Sequence, residues 1–467
     1  MRSKKIIQNL ILAIEIVLFF AAFTTLTGGK GVDFDEAFSW DIIVNNNIAG
    51  ILSGTAADVH PPLYYLIVKF IFAVFGASLR TMVWASIIPV LLGMILISAF
   101  VGKRWGFKSA FLFNLVYGFS PFILHYNLNL RMYSWMDLFV LGVILTSYEI
   151  LLEHKRWHYV ALFLFSIMAV YTQYFAVLPI VICYVWLFVH FLKGKDYKGL
   201  IKFLTVGVLD VVTYIPWLMY GMRNMGISHE RLFEEYSYSF SPSEIFEIWF
   251  KTNLEKSELM AGSLLVFAII SFILLRNRYA KSEKSFVIML LVNSVFCWYF
   301  SQLLGSLNGH FFNPRYVIYC LVCVWLFMAI VFSRFKWPVY GLFFLWTLEM
   351  CSSSYLVERA YEYDTTPLMD KTVDFIESNV DSDAVIVYDY DKWYNLIWQY
   401  YIPGHEFIPF EELNLDDMRG QTFWLINLSG ADFSDDEIQE YSLEIEHNPD
   451  MGFMGMQTFD LWKVECK

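Results

Sequence analysis

Asp33-Phe34-Asp35-Glu36-Ala37-Phe38-Ser39-Trp40 and Asp58-Val59-His60-Pro61-Pro62-Leu63-Tyr64-Tyr65 bracket a stretch that follows directly on the first apolar run of the chain. Long runs up to residue 356 are too apolar to hold an unpaired carboxylate, yet Asp33, Asp35, Glu36, Asp58 and His60 collect here. About 20 apolar residues span hydrocarbon, so this stretch falls where hydrocarbon gives way to water. Acidic groups held at that boundary are costly and mark a functional site by default.

The runs on either side decide the class. Of 467 residues, 57% are hydrophobic and 44 are Phe, with a mean hydropathy of +0.49. Soluble domains run at roughly 45–50% apolar even with glycine counted. Eleven apolar segments are expected to be helical spans: about 7–26, 80–101, 107–123, 135–152, 157–173, 175–192, 200–220, 259–275, 285–304, 315–333 and 337–356. The fold class read from them is an all-α polytopic membrane protein. A further apolar stretch, 61–76, is short and interrupted by Lys69, and is expected to insert only partly. The loop 28–60 is expected to carry an interfacial helix from Glu36 to about Asn46.

Charge separates a second domain. From Val357 onward there are 25 acidic and 6 basic residues, a net of −19; the remainder holds 20 and 27, a net of +7. Residues 1–356 therefore read as a membrane domain and 357–467 as an acidic soluble α/β domain. In the latter, 366–379, 392–401 and 434–441 read as helices, and 384–388, 422–428 and 457–464 as strands. An acidic tail of this kind does not suggest nucleic-acid binding, and no nucleic-acid partner is expected. Six cysteines lie in mostly apolar settings and suggest packing rather than a disulfide framework.

Basic clusters orient the chain. Lys4-Lys5, Lys103-Arg104, Lys155-Arg156, Lys193 to Lys202, Arg276 to Lys284 and Arg334-Lys336 read as cytoplasmic under the positive-inside rule. The N-terminus is then cytoplasmic, as a retained signal-anchor. Loops 28–60, 125–133, 171–174, 222–258 and 305–315 lie outside, as does the C-terminal domain. In the large loop 222–258, Ser241-Pro242-Ser243-Glu244 starts a helix whose apolar residues 245–250 suit the membrane surface.

The outward loops hold the chemistry. Asp35-Glu36 suits a general base or a divalent cation, or else is a solvated pair beside the anchor helix. Pro61-Pro62 imposes an extended entry and then a helix start at Leu63, which fixes His60 at the membrane edge. Arg131, followed by Tyr133, and Arg315, followed by Tyr316, suit a bidentate grip on an anionic head group; belt anchoring is the plainer reading. Asp58, Tyr171, Gln173 and His310 are further candidate contacts to substrate or metal. A carboxylate pair with a histidine can hold a divalent cation, and a metal-free base works equally well on paper.

These residues resemble the polyprenyl-phosphate-sugar-dependent glycosyltransferases of the protein O-mannosyltransferase-like and aminoarabinose-transferase-like type, which have the multi-span GT-C fold. The likeness covers roughly residues 5–330. It rests on Asp35-Glu36, on His60-Pro61-Pro62-Leu63, and on Ser120-Pro121 through Arg131-Met132-Tyr133-Ser134 with Tyr171-Thr172-Gln173-Tyr174-Phe175. Gln173 stands where many members carry histidine. The resemblance implies sugar transfer from an isoprenoid phosphate carrier to a protein, lipid or cell-wall glycan acceptor at the outer membrane face; low cysteine usage and the retained signal-anchor suggest that the membrane is a bacterial plasma membrane. It implies Asp35 as the base with Glu36 in support, and His60, Arg131 and Arg315 at the carrier phosphate. Two other classes stay open: a transporter or flippase, and a scaffold that binds polyprenyl lipid without catalysis.

Overall fold

The helix that follows Arg131 is enclosed by protein along almost its whole length. Residues Tyr133–Glu153 are apolar on nearly every side, interrupted by the buried Asp137 and Glu149, and 94% of their most apolar 18-residue stretch is buried within the protein. A helix apolar all round belongs at the centre of a bundle. Tyr319–Phe332 is likewise buried along its whole length. Helices with lipid-facing sides surround these two.

The structure, a computed structural model, describes the chain except residues 1, 29, 59, 225–240, 251–256, 308–311, 383, 390–394, 429 and 454–456. In chain order the helices are α1 (Arg2–Leu26), α2 (Phe34–Asn45), α3 (Ile48–Ala57), α4 (Leu63–Phe75), α5 (Leu79–Trp105), α6 (Phe107–Phe119), α7 (Pro121–Leu128) and α8 (Tyr133–Glu153). There follow α9 (Arg156–Thr172), α10 (Val177–Gly194), α11 (Tyr197–Asn224), α12 (Pro242–Phe250), α13 (Ser257–Leu275), α14 (Lys281–Leu307), α15 (Tyr319–Phe332) and α16 (Trp337–Asn379). The fold is mainly helical, as the composition requires. All eleven expected segments are helical. Among the described residues, seven helices are long and apolar enough to cross a membrane, or eight if the bent pair α6–α7 counts as one span.

Two local expectations change. The segment 107–123 is not one straight span: the chain bends by 57° between α6 and α7. Pro121 has no N–H to give, and Ser120 takes the extended conformation imposed before proline. His125 and Tyr126 therefore sit on a short helix rather than in a loop. The loop 28–60 holds two helices, not one, because Asn47 starts α3 by accepting the Gly50 amide at 2.9 Å. Helix α4 has 13 residues, about 20 Å of rise, too little to cross hydrocarbon of about 30 Å alone. Helix α12 forms where expected. Its apolar side is covered by protein, with Trp249 edge-on to Trp298 at 5.1 Å and Phe250 to Trp325 at 5.6 Å.

Polar ties hold neighbouring spans together. Asn114 of α6 donates to Glu15 of α1 at 3.0 Å, and Tyr184 of α10 to Asp210 of α11 at 2.5 Å. Such bonds act as interhelical glue where no water competes.

The chain divides into two compact units, residues 1–25 with 46–357 and residues 26–45 with 358–467. The second unit contains a five-stranded sheet built from β1 (Val385–Tyr388), β2 (Glu406–Pro409), β3 (Thr422–Asn427), β4 (Glu444–Phe453) and β5 (Gln457–Glu465). Strand order is β2-β1-β3-β5-β4, with β1 parallel to β2 and β3, and β5 antiparallel to β3 and β4. Strands β2 and β4 lay outside the sequence expectation. Helix α17 (Asn395–Tyr401) lies between β1 and β2 in the chain, and α18 (Asp435–Glu440) opens on a capping box formed by Ser434 and Glu437. Val387, Phe423, Leu425, Trp462 and Val464 form the core of this unit. All six cysteines are free and buried.

Candidate functional site

In the second unit, α2 begins with a reciprocal cap. The Glu36 amide donates to Asp33 Oδ1 at 2.9 Å, and the Asp33 amide donates to Glu36 Oε2 at 3.0 Å. The other Glu36 oxygen pairs with Lys30 Nζ at 3.1 Å, and the Glu36 side chain is fully buried. Glu36 is therefore committed to shaping the helix start. Asp35 lies in the first turn, half-buried, where the helix dipole favours a carboxylate. The whole segment is clamped onto α17: the Val32 amide donates to Tyr401 Oη at 2.6 Å, and Trp40 meets Tyr400 edge-on at 5.3 Å. Lys30 is a residue the sequence reading passed over. Its signal was available, as a lone cation immediately before three acids.

Asp33 is raised to about 7, first by burial and then by the negative charges of Glu36 and Asp35. Its ordinary value is near 4. The folded state thus binds the proton that the unfolded chain has released, so this group favours folding below about pH 4 and loses that contribution as pH rises to 7. Amide exchange in α2 is expected to slow on going from pH 7.5 to 5, after correction for the intrinsic rate. Asp33→Asn, which keeps a capping acceptor, is expected to remove that pH dependence. Equal pH dependence in the variant refutes the assignment.

In the first unit, His60, Asp58 and Arg131 form a chain. His60 Nδ1 lies 2.8 Å from Asp58 Oδ2 and 2.8 Å from the Asp58 carbonyl, and His60 Nε2 lies 3.3 Å from Arg131 Nη2. A guanidinium only donates, so Nε2 accepts and the His60 proton resides on Nδ1, shared with Asp58. Arg131 is only 2% exposed, a buried cation on the loop that enters α8. That loop is held from two sides: Tyr64 Oη donates to the Leu130 carbonyl at 2.5 Å, and Ser86 Oγ to the Asn129 carbonyl at 3.2 Å. Tyr64 belongs to the quoted His-Pro-Pro-Leu-Tyr-Tyr element, yet its positioning role shows only in three dimensions.

Arg315 joins the same region through aromatic faces. Its guanidinium carbon lies 6.0 Å from the Tyr133 ring centre and 5.8 Å from that of Tyr316. Tyr316 stacks on Phe175 at 5.4 Å, two residues beyond the buried Gln173. Arg315 thus lies between two tyrosine rings beside the Arg131 loop. Tyr171 is turned elsewhere: its hydroxyl donates to the Thr213 carbonyl at 2.9 Å, and its ring lines an apolar cavity of about 550 Å³ with Pro62, Leu66 and Trp217. His310 lies outside the described residues. The structure thus joins Asp58, His60 and Arg131 directly and brings Tyr133, Arg315 and Tyr316 together.

One grouping of possible metal ligands, Glu149, Glu153 and His158, lies toward the far end of α8. Arg104 fills it, donating through Nε to Glu149 at 2.5 Å and through Nη2 to Glu153 at 2.6 Å. A fork that neutralises both carboxylates leaves this grouping built as an ion pair.

Comparison with known proteins gives two kinds of likeness. Residues 59–220 match the family described as dolichyl-phosphate-mannose-protein mannosyltransferase. That stretch contains His60, Arg131, Tyr133, Tyr171 and Gln173. The crystal structure of ArnT from Cupriavidus metallidurans in the apo state is similar with a TM-score of 0.61 at 12% identity, covering 97% of this chain and 98% of that one. The same protein bound to undecaprenyl phosphate gives 0.59 at 11% identity, with 97% of each chain covered. No curated protein sequence matches the chain. The fold is GT-C and similar to that of ArnT.

Proposed function

We propose that this GT-C-fold membrane protein is a glycosyltransferase that moves a sugar from a polyprenyl-phosphate carrier to an acceptor hydroxyl at the outer membrane face. The observation that carries this reading is the buried Arg131, joined to His60 and Asp58 within the stretch that matches the mannosyltransferase family. A cation that is 2% exposed is held at a cost, and a phosphate leaving group is a use for it. Displacement at the anomeric carbon places negative charge on the departing phosphate, so Arg131 and Arg315 serve as its donors. His60, donating to Asp58 and accepting from Arg131, orients the guanidinium. Asp35 is the base for the acceptor hydroxyl, and Glu36 acts on it indirectly by fixing the first turn of α2 with Lys30 and Asp33.

Sidedness rests on charge. Lys4, Lys5, Lys103, Arg104, Lys155 and Arg156 gather at the end of the bundle where α1 begins and α8 ends. Arg131 lies at the start of α8, whose 21 residues rise about 30 Å. The positive-inside rule then puts Arg131 outside. For a transporter, ionisable groups near the midplane are expected to stay available to cargo. Here Glu15 and Asp210 are engaged with Asn114 and Tyr184.

The test uses the full chain in nanodiscs with a panel of polyprenyl-phosphate sugars and follows release of free polyprenyl phosphate. Release with at least one donor, stimulated by an acceptor, is the expected result. No release with any donor, together with lipid or sugar flux in proteoliposomes, replaces the enzyme by a transporter. Tight binding of carrier without release or flux replaces it by a scaffold.

A further inference from the structure

A cavity of about 900 Å³ with a polar rim opens at the other end of the bundle, between the start of α1 and the α5–α6 junction. Its polar rim is Lys4, Lys5, Lys103, Gln8 and Asn9. Among the described residues, Lys4 and Lys5 have no acidic partner, and Lys103 has only Glu153 at 3.8 Å. Arg104, next in the chain, is turned away into its bonds with Glu149 and Glu153. The backbone adds to the positive field. Gly106, with φ of 90°, ends α5 and opens α6 without a side-chain cap, and both Gly106 and Phe107 line the cavity. The first amides of α6 thus reinforce the lysines, as helix starts do for anions. Lys4 and Lys5 themselves stand in the first turn of α1, where the dipole disfavours cations unless an anion offsets them.

The cavity also continues into the membrane. On α5, Ala99 and Gly102 line its wall, and the same helical face carries Ile95 and Leu92 one and two turns deeper. These two are 44% and 53% exposed, so the stripe is bare to hydrocarbon. A soluble phosphate would use the lysines alone; a molecule with a phosphate and an apolar chain uses both features. We propose that this cavity binds the phosphate of an anionic glycerophospholipid, with one acyl chain lying along the Leu92–Ile95 stripe of α5. Basic pockets between spanning helices recognise head groups in this way. The site is separate from Arg131 and does not depend on the transferase reading.

The test is native mass spectrometry of the full chain with palmitoyl-oleoyl-phosphatidylglycerol, the matching phosphatidylcholine, and inorganic phosphate. We expect one phosphatidylglycerol retained at least tenfold more tightly than phosphatidylcholine and not displaced by millimolar phosphate. Lys4→Gln/Lys5→Gln/Lys103→Gln should weaken it at least tenfold, while Lys193→Gln/Lys195→Gln/Lys198→Gln changes it less than twofold. Equal retention by the first variant, or equal loss in the second, overturns the proposal; displacement by phosphate overturns the lipid assignment in favour of a soluble anion. Acetylation of the unmutated chain reads the site without any variant. Phosphatidylglycerol should slow modification of Lys4, Lys5 and Lys103 relative to Lys193, and uniform rates count against the site.

Discussion

Asp35→Asn is expected to lower glycosyl transfer by about 10²–10⁴-fold, the range attributed to a positioned general base. The substitution keeps the size of the side chain and its place in the first turn of α2, and removes only the proton acceptor. Glu36, Asp33 and Lys30 keep their mutual bonds, so the cap that shapes this turn survives. The signature is therefore a fall in kcat with carrier binding unchanged, because the acceptor's proton matters only in the transition state. Glu36→Gln makes the contrast. It removes the ion pair with Lys30 inside a buried setting, so it should loosen α2 as well as reduce turnover. If Asp35→Asn turns over within threefold of the native protein, Asp35 is not the base. If it loses carrier affinity as well, its role is positional.

Loss of Arg131 is the second large effect. Arg131→Gln removes a buried cation, and with it the donor to His60 Nε2. Truncating one member of a buried charge pair costs about 2–5 kcal/mol, which corresponds to roughly 30- to 4,000-fold in affinity. With carrier phosphate as the partner, that loss should appear in the affinity for polyprenyl phosphate itself, measured without any sugar. Arg131→Lys should recover only part of it, since an ammonium lacks the planar fork that grips two phosphate oxygens. A merely structural arginine behaves differently: Arg131→Gln would then destabilise the loop leading into α8 yet leave carrier affinity within threefold. Arg315→Gln should give a smaller loss, because its guanidinium rests against Tyr133 and Tyr316 rather than in the His60–Asp58 chain.

Much of the architecture is legible in the chain because hydrocarbon tolerates so few alternatives. Every backbone group in lipid must find a partner within its own segment, so each long apolar run had to be a helix, and α8, α10, α11 and α14 lie where hydropathy put them. Local chemistry was equally readable. Pro61-Pro62 starts α4 at Leu63, and Ser434 with Glu437 caps α18, because these devices act within a few residues. What stayed hidden was set by partners distant in sequence. The bend of α6–α7 at Pro121 is a fact that hydropathy averaging over a window erases. Strand β2 has only four residues and gains its identity from β1, not from its own pattern.

The candidate site divides in the same way. Residue types and their placement at a water boundary marked Asp35, His60, Arg131 and Arg315 from sequence, since ionisable groups stand out against apolar runs. Only tertiary structure separated their duties. Asp35 and Glu36 are neighbours with the same chemistry, and it is the Lys30 pair and the Asp33 amide that commit Glu36 to structure. Arg131 could have been a surface anchor; burial, and 71 residues of separation closed to a 3.3 Å contact with His60, make it a held charge. Tyr171, expected among the substrate contacts, turns to the Thr213 carbonyl and an apolar cavity instead. Sequence by itself determined the helical membrane class, the long apolar helices and the residue types at the boundary, because transfer between water and hydrocarbon is a property of each segment alone. Tertiary structure decided which charges are paired, capped or stacked, because a buried group's behaviour depends on neighbours that only folding brings within a few ångströms.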